Sequence, residues 1–123
     1  MPFAVIPIEE GHRNYVIQVN GRSPDDPAAV LVDVAGLNPP CEAVRLMRVS
    51  YDVDVGEEVD LFFDGDADPF LTMSEGNGQT ICYKKIGGIP NRRVGGGNVT
   101  LSSVTGEYTL TLHFVKQNPV IPL

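Results

Sequence analysis

The sequence predicts an all-β fold: an antiparallel β-sandwich, jelly-roll-like or immunoglobulin-like, of eight to nine short strands. Three observations carry that expectation. Glycine and proline punctuate the whole chain, with 13 and 10 residues among 123, so the runs between them are short. Several runs alternate apolar and polar residues with period two, the mark of a strand with one buried face. No run shows a convincing amphipathic helical period. Short strands at roughly even spacing, separated by turn signals, fit a sandwich or barrel.

The strands are read in chain order. Residues 3–8 are apolar between Pro2 and Pro7, and residues 15–19 and 29–34 are short β-branched runs. Around residues 47–55, Met47, Val49, Tyr51, Val53 and Val55 share one face, with Arg48, Ser50, Asp52 and Asp54 opposite. Residues 43–47 also fit a helical turn, but the sustained alternation favours a strand. Residues 58–63, 69–73, 80–85 and 98–102 are weaker candidates. The last run, 106–116, is the clearest. Tyr108, Leu110, Leu112 and Phe114 fall on one face, with Thr109, Thr111 and His113 on the other; aromatic residues and threonine suit a pleated surface. Turn signals divide these runs at Asn20-Gly21, Ser23 to Pro27, Asn38 to Pro40, Val55 to Glu57, Gly76-Asn-Gly78 and Gly95 to Asn98. Pairing order is not readable from pattern.

The length fits a single domain, 1–123. A 13.3 kDa chain exposes roughly 6,400 Å² folded against about 19,000 Å² unfolded. It therefore buries enough surface to need no disulfide framework. Cys41 and Cys82 are the two cysteines; one disulfide and two separate thiols both fit. The start lacks the basic and apolar regions of a signal peptide, and no apolar stretch approaches the ~20 residues of a spanning helix. No membrane association is expected, and cytoplasmic synthesis is.

The formal net charge is -7, which argues against nucleic-acid binding, since phosphate contact needs a basic surface. The acidity is local: eight acidic residues and no basic one lie between Asp52 and Asp68. Basic residues occur in pairs elsewhere, Arg45 with Arg48, Lys84 with Lys85, and Arg92 with Arg93. Solvated strand faces and loops are the expectation for them.

Two readings compete for Phe62-Phe-Asp-Gly-Asp-Ala-Asp-Pro-Phe70. Counted as a calcium loop, Asp64, Asp66 and Asp68 take positions 1, 3 and 5, and Glu75 takes position 12. Position 6 is then Pro69, where the loop requires the positive φ of glycine, and no helix flanks it. A turn needs less, because Asp64-Gly65 is a strong hairpin signal. No metal or cofactor is expected. Catalysis has little support either: there is no GxSxG elbow, and neither His12 nor His113 has a nucleophile beside it in sequence. Gly87-Gly88 and Gly95-Gly-Gly97 lack the Lys-Ser/Thr and helix of a phosphate loop.

Both chain ends are unusually apolar. Phe3, Val5, Ile6 and Ile8 at 1–10, and Val120, Ile121 and Leu123 at 117–123, are candidate partner-contact arms that would add to a neighbour's sheet. Frayed termini are the plainer alternative.

Five stretches occur in order: Glu10-Gly-His-Arg-Asn-Tyr-Val-Ile-Gln-Val-Asn-Gly21, Leu46-Met-Arg-Val-Ser-Tyr-Asp-Val53, Val59-Asp-Leu-Phe-Phe-Asp64, Ile86-Gly-Gly-Ile-Pro-Asn91 and Tyr108-Thr-Leu-Thr-Leu-His-Phe-Val-Lys116. The series resembles a group of small tailed-bacteriophage proteins, found especially in phages of marine bacteria and described mostly as virion structural or capsid-associated. Each stretch alone is unspecific. In that group a tryptophan commonly precedes the aspartate matching Asp64; here Phe63 stands there, and the aspartate cluster replaces a threonine-containing turn. The resemblance implies an assembly role and brings no catalytic residues. The expectation is a non-enzymatic capsid decoration or cement protein on the virion surface, assembled in the host cytoplasm. It would bind the major capsid protein or other virion proteins as a homo-oligomer, with a trimer as the candidate state. The alternatives are a neck, tail or fibre-attachment component, or a carbohydrate-binding module using Tyr15, Tyr51 or Tyr83 as a stacking platform.

Overall fold

A computed structural model of the chain describes residues 4–22, 29–54, 58–90, 96–103 and 107–117. Nine strands form within them: β1 (Ala4–Glu10), β2 (Asn14–Arg22), β3 (Ala29–Val32), β4 (Ala43–Val53), β5 (Val59–Phe63), β6 (Leu71–Met73), β7 (Gly76–Cys82), β8 (Val99–Ser103) and β9 (Glu107–Gln117). They make two antiparallel sheets, β1-β2-β9-β4-β7 and β3-β8-β5-β6. The expected antiparallel sandwich is therefore present.

The pairing also separates the two architectures that pattern left open. β2 lies beside β9, β3 beside β8, β4 beside β7 and β5 beside β6. These pairs nest inside one another like one long hairpin rolled across two sheets, which is the jelly roll. β1 is an added edge strand outside that set.

Period-two alternation explains the core. From the five-stranded sheet, Ile17, Val19, Leu46, Val49, Leu110, Leu112 and Phe114 point inward with no exposed surface; from the other sheet so do Val59, Leu61, Met73, Val99 and Leu101. Two inner faces of this kind interdigitate across about 10 Å. No buried position on β9 breaks the alternation between Tyr108 and Lys116.

Several boundaries differ from the sequence expectation, each for a local reason. Asn20-Gly21 is not a turn but part of β2, where Gly21 faces Tyr108 and leaves room for its ring. The third strand stops at Val32, because the Asp33 carboxylate accepts from the Ala35 N–H at 3.3 Å and a 3-10 turn follows at Val34–Gly36. Met47 is not on the core face. A bulge between Leu46 and Arg48, opposite β9, shifts the register, and Leu46 takes the inward place, as one extra residue reverses facing. Gly76-Asn-Gly78 lies within β7 rather than in a turn. Gly78, with φ of 71°, donates to the Asp52 carboxylate at a second bulge between β4 and β7. Lys84 and Lys85 leave the strand and form a 3-10 turn, Lys84–Ile86, closed by the left-handed Gly87. The turn signals at 23–27 and 55–57 lie outside the described residues.

One mouth ties the ends of the four-stranded sheet together and sets them against the start of β4. Asp64 N–H donates to Asn98 O at 2.9 Å, and Val34 N–H donates to the Asn98 side chain at 3.0 Å. Gly97 sits against the backbone carbonyl of Glu42, where a Cβ would overlap it. Gly97→Ala is expected to destabilise the fold by about 1–3 kcal/mol or more, the range for overpacking. A lowered urea midpoint with an unchanged slope is the result that checks it.

Candidate functional site

Residues 62–70 close the hairpin between β5 and β6. Asp66 N–H donates to Phe63 O at 3.1 Å, and Gly65 has φ of 89°. A positive φ at the third turn residue is what Gly supplies in a type II turn. Asp64 turns its carboxylate to the Gly96 N–H at 3.1 Å. Phe63 and Phe70 stack with centroids 3.9 Å apart and planes 15° from parallel. With Asp66, Asp68, Ile89 and Pro90 they line an open depression of about 470 Å³. Among the described residues, no group of three or more His, Cys, Asp or Glu is gathered to hold a metal ion. The Asp64 carboxylate is used to bind the 96–98 loop to the hairpin.

The cysteines are separate free thiols in this structure, Cys41 buried and Cys82 exposed on the edge strand β7. Burial raises the Cys41 thiol pKa, opposed by the charge of Lys116 and by backbone N–H groups of Ala43 and Gln117. Lys116 continues the inward series of β9 and is only 3 % exposed. Its ammonium donates to Pro39 O at 2.9 Å, which offsets part of the cost of removing a charge from water. Period two alone assigns Lys116 to the core face; its charge made that assignment easy to overlook.

His113 lies on the outer face of the five-stranded sheet, and its Nε2 is 3.1 Å from Asn14 Oδ1. Its pKa is lowered from the usual value, first by partial burial, then by Lys84 and Arg48, with Glu9 acting the other way. Register explains the neighbours: Arg48 and Val16 are its partners on either side. Next to them Arg13, Arg45, Met47, Val115 and Gln117 line a second depression of about 410 Å³. Arg45 donates to Gly87 O at 2.8 Å, while its buried Nε has no partner among the described residues. The dispersed basic residues of the sequence thus include Arg13, Arg45, Arg48 and Lys84 gathered at one end of one sheet. Arg92 and Arg93 lie outside the described residues.

Of the candidate arm residues, Val5, Ile6 and Ile8 lie in β1, which pairs with β2 of the same chain. Val5 packs against the core, whereas Ile6 is 48 % and Ile8 60 % exposed. Pro7 and a bulge between Pro7 and Glu9 interrupt this edge, devices that limit further strand addition. Phe3, Val120, Ile121 and Leu123 lie outside the described residues. Of the candidate platform tyrosines, Tyr15 is buried and Tyr51 and Tyr83 are half-buried against the core. Tyr15 is therefore closed to a stacking ligand.

No protein family, no curated protein and no solved structure matches the chain.

Two outcomes test this description. A thiol reagent should titrate Cys82 at once and Cys41 only on unfolding; two equally fast thiols would contradict the burial of Cys41. For His113, the depressed pKa means that the unfolded chain binds the proton more tightly. Its contribution is then present above the ordinary histidine pKa, about 6.5, and is lost as pH falls from there through the lowered folded value. Thermal midpoints should fall over that interval in the native chain and fall less steeply in His113→Gln.

Proposed function

We propose that the chain is a non-enzymatic virion structural protein, most specifically a capsid decoration or cement protein, working without cofactor, nucleic acid or membrane. The observation that carries the reading is the edge of the five-stranded sheet. β1 is exposed along nearly its whole length and presents Ile6 and Ile8 to solvent beside a well-filled core. Fully burying such side chains is worth about 1.5–3 kcal/mol each, a driving force available only when another protein covers them. The jelly roll is an architecture found in viral capsid proteins, although a fold alone does not imply a function. The ordered resemblance to small phage structural proteins supports the same reading.

As a decoration protein, the domain would join neighbouring shell subunits. Many weak contacts repeated on a lattice gain strength through multivalency. Its acidic surface would limit adhesion to the packaged genome. The partners on this reading are the major capsid protein and further copies of this chain.

Quantitative mass spectrometry of purified virions tests the proposal. Hundreds of copies in fixed ratio to the shell protein are expected. A few to a few dozen would assign the protein to the neck, tail or fibres, and none would remove the structural reading. Ile6→Asp with Ile8→Asp should leave stability within about 0.5 kcal/mol, as for exposed positions generally. The same pair should lower virion occupancy at least about tenfold, the effect of roughly 1.4 kcal/mol.

A further inference from the structure

The outer face of β4 changes sign along its length. From one end it presents Arg45, Met47, Arg48, Ser50 and Asp52, with Asp54 just beyond the strand. The bulge at Met47 keeps Arg45 and Arg48 on the same side. Across the ladder, β9 places His113 beside Arg48 and Thr109 beside Asp52. Arg13 and Lys84 join the first end, through the depression shared with Arg45 and the field felt by His113. Glu9 is the carboxylate that reaches His113 there. At the second end, Asp52, Asp54 and Glu107 line a depression of about 280 Å³ with no basic side chain among its described lining residues. Asp52 and Asp54, both exposed, define this pole. Along the strand the near members, Arg48 and Asp52, lie about 13 Å apart and the far members, Arg45 and Asp54, about 30 Å apart, at about 3.3 Å per residue.

Each pole retains binding capacity. At the basic pole Arg13 and Arg48 are exposed side chains, and a guanidinium is a fork of N–H donors that fits a carboxylate. Asp52 and Asp54 each accept one backbone N–H, from Gly78 and Glu107; a carboxylate has further acceptor sites. Between the poles the face is polar but uncharged, with Ser50 hydrogen-bonded to Thr80 at 3.0 Å, so nothing there repels a second body.

We infer that the basic pole of one copy docks on the acidic pole of the next, the Arg13–Arg45–Arg48 end receiving the Asp52 and Asp54 carboxylates. The poles are different surfaces, so the contact is heterologous: it closes into a ring if the rotation permits and otherwise runs on as a chain. This rests on the homo-oligomer part of the proposed function and names the surfaces that meet. It also explains why an acidic chain keeps a concentrated basic end.

Sedimentation velocity over a concentration series tests it. Self-association is expected at about 0.1 M salt and should weaken at about 1 M, where the screening length falls from about 10 to about 3 Å. Arg13→Glu with Arg48→Glu blocks one pole through exposed side chains. Asp52→Asn with Asp54→Asn removes charge from the other while keeping an acceptor for each backbone N–H. Each pair should weaken self-association roughly three- to thirty-fold, the scale of two lost exposed charge pairs. Mixing the two variants should produce a one-to-one heterodimer that does not extend, because one intact pole of each kind remains. Circular dichroism confirms that both variants fold. A native chain that stays monomeric throughout, or self-association untouched by either pair, would overturn the inference. Loss of virion occupancy in both variants with unchanged self-association would also overturn it, giving the poles to the shell protein and leaving the decoration reading intact. A chain absent from virions that still shows the heterodimer would do the reverse.

Discussion

The ladder that β9 makes with β2 on one side and β4 on the other is the constraint on which the structure depends. Its inward residues, from Tyr108 to Phe114, are all buried and fill the middle of the sandwich. Its register with β4 sets which side chains of β4 face the core, and its register with β2 positions the edge strand β1. β2 and β9 stand at opposite ends of the chain, so closing this pair fixes the outermost turn of the nested hairpin. Such long-range pairing carries a large loop-closure cost before contacts compensate it, and folds of this kind form slowly.

Bulges translate that ladder into surface character. At Met47 the extra residue lets Leu46 fill the core while Arg45, Met47 and Arg48 all reach the outer face. At β7 the extra residue brings Gly78 to the Asp52 carboxylate. The first concentrates positive charge and the second holds a negative group in place. The third, at Pro7, interrupts an otherwise apolar edge. A single reversal of facing is enough to move a side chain between core and solvent, so these positions decide the surface as much as composition does.

On the proposed reading, the molecule's surface features would serve contacts with other proteins. Isoleucines are exposed on one edge, opposite charges lie at two ends of one face, and the depressions are open rather than deep. Several polar side chains have structural partners. Asp64 holds the 96–98 loop, Asp33 starts a 3-10 turn, Lys116 binds Pro39 and His113 meets Asn14.

The sequence by itself determined the class of fold, the approximate place of nine strands, the core face of β9 and part of that of β4. Those follow from local chemistry: period two, turn residues and β-branched or aromatic content act within a few positions. It also identified Asp64-Gly65 as a turn, because glycine's positive φ is a local property. Only the tertiary structure decided the jelly-roll order, the burial of Tyr15 and Lys116, and the separation of Cys41 from Cys82. It alone gathered Arg13, Arg45, Arg48 and Lys84 at one end. Strand order depends on which distant segments share an interface, and a bulge is visible only against the partner strand it fails to match. Local pattern carries neither, since both are properties of pairs of segments rather than of one.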